Sequence, residues 1–164
     1  MSSVARAIME RVADVIAIDH TSLLDPGAYD LSGADQVRIG RHWPPPTDSL
    51  PFVWVAPSGI DGVAVGVSLG RYGRGYDLDI MGFVGGDGDD PGIRIGNALD
   101  LANDVIKAIE NDVRSKPGAL FNLADIIDVV CKLTALDGDE NDIAPGLGVC
   151  FLTISVPYQT DRGI

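Results

Sequence analysis

The chain has 164 residues, 46% of them hydrophobic and 22% charged, the composition of one globular domain with a single core rather than of a disordered segment. Its 24 Asp and Glu against 12 Lys and Arg leave a net charge of −12, which repels phosphate and anionic lipid and argues against a dedicated DNA- or RNA-binding module. No apolar run approaches the roughly 20 residues that cross a bilayer, and Arg6, Glu10, Arg11 and Asp14 break up the apolar stretch that a signal peptide requires, so the chain is expected to stay in the cytoplasm where it is made.

Residues 3–19 place Val4, Ile8, Val12, Val15, Ile16 and Ile18 at mostly helical spacing without Gly or Pro, which predicts an amphipathic helix. From 23 to 51 the character changes. Asp25-Pro26-Gly27, Ser32-Gly33 and Pro44-Pro45-Pro46 are turn and polyproline signals, and only QVRIG at 36–40 resembles a strand. A connection of this length is expected to be an extended arm or binding loop.

PFVWVAP at 51–57 and VAVGVSL at 63–69 read as strands. YDLDIMGFV at 76–84 alternates Leu78, Ile80 and Val84 with Asp77 and Asp79, which turns the aspartates away from the apolar face. Between the last two runs lies RYGRG, predicted to be a hairpin tip with Gly73 and Gly75 supplying the turn.

Asp90-Pro91 is an N-cap followed by Pro at the first helical position. The helix it opens should bury Ile95, Leu99, Ala102, Val105, Ile106, Ile109 and Val113, expose Asp100, Asn103, Asp104, Lys107 and Glu110, and stop at Pro117-Gly118. Runs at 126–136 and 149–158 close the chain as strands without clean alternation, as expected for strands buried on both faces near the middle of a sheet. The expected fold is α+β: a largely antiparallel or mixed four- to five-stranded sheet with two main helices packed on one face. A single domain over 1–164 carries the proline-rich arm at about 23–51.

Candidate chemistry is sparse. DGDEND at 137–142 begins like a calcium loop, with Asp137, Asp139 and Asn141 at alternate positions, but Asp142 stands where the sharp turn needs Gly and Gly148 where the bidentate Glu belongs. Turn chemistry explains the same residues, and Asp87, Asp89 and Asp90 in GGDGDDP lead into a helix start that favours negative charge. GRYGRG matches neither glycine fingerprint for nucleotide phosphate. Arg71, Tyr72 and Arg74 then remain as a solvated tip, an anion site, or a contact to another subunit, since Arg and Tyr are enriched in interface hot spots.

His20 and His42 are expected in surface loops, with no HxH or HxxxH pair and no nucleophile motif near them. Cys131 and Cys150 lack a CxxC partner and read as buried free thiols, with a disulfide open to them only outside a reducing compartment. No catalytic, cofactor-binding or metal-ligating residue emerges.

The order MERVADVI helix, LPFVWVAP strand after a proline-rich segment, RYGRGYDLDIMGFVGGDGDDP, long helix GNALDLANDVIKAIENDV and final LTISVPYQTD resembles the tail terminator or tail-completion proteins of tailed bacteriophages, the minor tail protein U-like group. The resemblance covers most of the chain. It implies a structural, non-enzymatic virion protein, assembled in the host cytoplasm as a homo-hexameric ring. The ring would end the tail tube and join it to a head-side connector or neck protein, and to the sheath where the tail is contractile.

DNA would then pass through the ring without sequence-specific binding, and an acidic lumen suits that. Arg71, Tyr72, Arg74, Arg41 and Trp43 are candidates for the subunit interface. Asp87, Asp89, Asp90, Asp137, Asp139 and Glu140 are candidates for a lumenal or acidic loop. The length of the 23–51 segment leaves another connector, stopper or head-completion ring protein as the alternative. A small intracellular binding module or enzyme, with a pocket near Arg41, His42 and Trp43, is the alternative of a different class.

Overall fold

The computed structural model describes residues 4–41, 49–68, 71–85, 90–114, 130–137 and 146–161. They form α1 (Val4–Ile16), a short 3-10 turn (His20–Ser22), β1 (Val37–Ile39), β2 (Phe52–Ser68), β3 (Arg71–Gly85), α2 (Pro91–Arg114), β4 (Val130–Asp137) and β5 (Leu147–Asp161). The five strands make one mixed sheet in the order β1-β2-β3-β5-β4. Only β1 is parallel to its neighbour, with Val37, Arg38 and Ile39 opposite Val53, Trp54 and Val55. The other pairs are antiparallel. This is the expected α+β architecture, with α1 against β1 and β2, and α2 against β3, β5 and β4. Among the described residues no helix is long and apolar enough to cross a membrane.

Period-two alternation sorts the strands into two faces. Val53, Val55, Leu78, Ile80, Val84, Cys150, Leu152, Ile154 and Val156 join one buried cluster with Ile8, Val12 and Ile16 of α1 and Leu101, Val105 and Ile109 of α2. Each fully buried aliphatic in that layer contributes about 1.5–3 kcal/mol through removal from water. Phe52, Trp54, Ala56, Met81, Phe83 and Val149 form a second buried cluster on the opposite face. The Phe52 and Phe83 rings stack there with centroids 6.2 Å apart.

Several expectations need correcting. Most of the run at 51–57 and residues 63–68 of the next belong to one 17-residue strand, Phe52–Ser68, because Pro57 and the glycines after it are absorbed by register shifts rather than by a turn; Leu69 lies outside the described residues. Gly73 and Gly75 are ladder residues, opposite Val65 and Asp61 on one side and Gln159 and Pro157 on the other, so they do not turn the hairpin. The strand at 130–137 is an edge strand, not a central one, and its exposed Lys132, Thr134 and Ala135 follow from that place. Residues 126–129 and Pro117-Gly118 lie outside the described residues.

α2 starts where Asp90 caps it, the Asp90 Oδ1 accepting from Gly92 N at 2.9 Å. Its buried stripe is rotated from the expected one. Ala98, Leu101, Ala102, Val105, Ala108 and Ile109 face the sheet, whereas Ile95 and Leu99 are 38% and 39% exposed. Two constraints set the phase. The alanines let the helix sit low on the sheet, and glycines opposite complete the fit. A Cβ at Gly148 would lie 2.3 Å from the Arg94 carbonyl oxygen, and one at Gly82 would lie 2.8 Å from Leu101 Cδ2.

Asp104, expected on the wet side, is buried at 3% exposure. Its Oδ2 accepts from the backbone N–H of Ala28 at 3.0 Å and of Tyr29 at 2.9 Å. Gly27 is required beneath it, since a Cβ there would stand 2.3 Å from Asp104 Oδ1.

The same contact fastens the first part of the expected arm to the body. Leu31 is fully buried in the helix-side core, its N–H bonded to the Ile18 carbonyl at 3.0 Å, and β1 follows it into the sheet. Residues 42–48, with the triple proline, lie outside the described residues.

Two predictions follow from this packing. Gly148→Ala should lower the unfolding free energy by about 1–3 kcal/mol through overpacking, whereas Gly96→Ala, where an added Cβ meets nothing within 4 Å, should raise it by up to about 1 kcal/mol through helix propensity. Asp104→Ala should cost about 3 kcal/mol by orphaning two amides, and Asp104→Asn less because one acceptor oxygen remains. Urea unfolding followed by circular dichroism measures all four.

Candidate functional site

The face of the sheet opposite α1 and α2 is divided. Near the start of β2 it is apolar, and toward Asp79, Asp77, Thr153 and Ser155 it becomes polar. At the boundary lies an open cleft of ≈ 410 Å³, floored by Trp54, Met81 and Phe151 and rimmed by Arg41, Asp79 and Thr134. The strands place each of these by register: Trp54 is opposite Met81, Met81 opposite Phe151, and Asp79 opposite Thr153.

Polar groups of the rim are engaged with one another. Arg41 reaches across two strands, its guanidinium donating to Asp79 Oδ2 at 3.3 Å and approaching the Pro57 carbonyl at 3.5 Å. Asp77 accepts from Ser155 Oγ at 2.7 Å, a cross-strand pair. Thr134 Oγ1 donates to the Phe151 carbonyl at 2.9 Å. An adjoining hollow of ≈ 450 Å³ lies between Lys132, Thr134, Thr153 and Ser155. The pair of hollows can hold an apolar group on the aromatic floor with polar contacts around it.

A further hollow of ≈ 330 Å³ runs between residues 26–28 and Asp100, Asn103, Asp104 and Lys107 of α2. Its buried carboxylate, Asp104, is occupied by the two amides described above. Among the described residues no three His, Cys, Asp or Glu side chains gather as a metal-binding group.

Of the candidate site residues that the structure describes, Arg41 alone lies at this cleft, beside Asp79, which the alternation of β3 had turned to this face. Arg71, Tyr72 and Arg74 stand at the far end of β3, where Arg71 is opposite both Ser68 and Asp161. Eight residues separate Arg71 from Asp79 along the strand, about 26 Å at the usual rise. Asp90 is the α2 cap, and Asp137 ends β4 opposite Val149. Trp43, His42, Asp87, Asp89, Asp139 and Glu140 lie outside the described residues.

His20 is corrected from a surface residue to a buried one, 1% exposed, with its Nε2 3.1 Å from the Ile16 carbonyl. Trp54, Met81, Thr134, Phe151 and Thr153 were not singled out in advance. Their alternation places them on one strand face, but only the finished strand order makes that face a cleft.

Both cysteines are free. In the ladder Cys131 is opposite Ile154 and Cys150 opposite Leu136, so four strand residues, about 13 Å, separate them, more than twice the usual disulfide Cα spacing of about 6 Å. Burial pushes the thiol of Cys150 up to about 12, and burial with the Glu110 carboxylate does the same for Cys131. Burial, followed by the Asp100 and Asp104 carboxylates and Cys150, raises the Tyr29 phenol to about 12.

These groups are held neutral in the folded state, so their contribution to stability is complete below the unfolded values near 9 and 10 and is lost as pH rises toward 12. The urea midpoint should therefore hold steady from pH 7 to 8.5 and fall from pH 9 upward. A thiol reagent at pH 8 should label the folded protein slowly and both cysteines quickly in guanidinium. No protein-family model matches the chain, and no curated protein matches it.

Proposed function

We propose that the chain is a structural subunit of a tailed-phage neck, a ring protein that ends the tail tube and joins it to the head-side connector around the DNA channel. The observation that carries the reading, beside the sequence resemblance, is the shape of the sheet. β2, β3 and β5 continue together past Ala56, Leu78 and Val156, the last core residues described on each, as a three-stranded blade ending at Ser68, Arg71 and Asp161. From Tyr76 to Arg71 the blade extends about 17 Å. A projection of this length gives a subunit reach toward a neighbour, and it carries Arg71, Tyr72 and Arg74 in a chain of net charge −12.

In this reading the blade, which carries Arg71 and Arg74 beside Asp61 and Asp161, meets the body of the next copy through its Arg and Tyr side chains, a heterologous contact of the kind that closes rings. The surplus of carboxylates lines or surrounds the channel, where like charge lets DNA slide. The partners are further copies of the chain, the tail-tube protein, a connector or neck protein, and the sheath in a contractile tail. Another connector, stopper or head-completion ring would use the same subunit geometry.

A second reading has its own observation. The ≈ 410 Å³ cleft, in the size range of ligand pockets, favours a small binding module.

Light scattering across a concentration series, together with negative-stain images of the protein alone and mixed with tail tubes, separates the two readings. The ring reading expects a fixed copy number or caps on tube ends, with Arg71→Glu/Arg74→Glu weakening assembly and leaving the melting temperature unchanged. A monomer that ignores tubes would sink it, and a melting shift with a small-molecule library would favour the module.

A further inference from the structure

We draw no further inference here: the strongest candidate, the apolar shoulder of α2 on which Ile95 and Leu99 stand exposed one helical turn apart, carries nothing because nothing in the structure shows what covers it.

Discussion

A buried carboxylate with two backbone amides beneath it is the contact on which the rest of this structure depends. Asp104 sits on the sheet-facing side of a helix, where an ionised group is tolerated only if hydrogen bonds replace its water. The amides of Ala28 and Tyr29 supply them, and Gly27 leaves the room. The consequences spread from there. Gly27 closes the loop onto His20, whose ring reaches the end of α1, and the Tyr29 hydroxyl donates to the Asn97 carbonyl at 3.3 Å. Asn97 in turn donates from Nδ2 to the Gly85 carbonyl at 3.1 Å. One side chain thereby couples α1, the long connection, α2 and the end of β3.

That coupling explains why the connection after α1 is not a free arm along its whole length. A segment rich in Gly, Pro, Asp and Ser has little apolar surface with which to hold itself down, and among its described residues Leu31 is the single fully buried large aliphatic side chain. Polar fastening does the remaining work, through Asp104 and through the Asp19 and Asp30 side chains that bond to Thr21 and Ser32 two residues further on. The hydrogen bonds from Ser32 keep the Asp30 carboxyl below its usual range, consistent with a charge used locally as a turn acceptor.

Much of the fold was legible because period and punctuation are local properties. Ile8, Val12 and Ile16 announce α1, Asp90-Pro91 announces the start of α2, and Leu78, Ile80 and Val84 announce the face of β3 that meets the helices. The phase of α2 was not legible, because it depends on what the helix meets: Gly148 and Gly82 admit it closely, and Asp104 is drawn inward by amides 75 and 76 residues away in the chain. Long-range hydrogen bonds leave no periodic trace. The cleft was legible only in Arg41 and in the outward turn of Asp79, because its floor is assembled from β2, β3 and β5, and no single segment contains the pattern.

The same partition gives the molecule a direction. Its helices cover one face of the sheet, and the other face changes along the strands from aromatic, around Phe52, Trp54 and Phe83, to charged, around Asp77 and Asp79. Two faces of different chemistry are what a head-to-tail contact between copies would need, whereas a two-fold contact uses one patch on both partners.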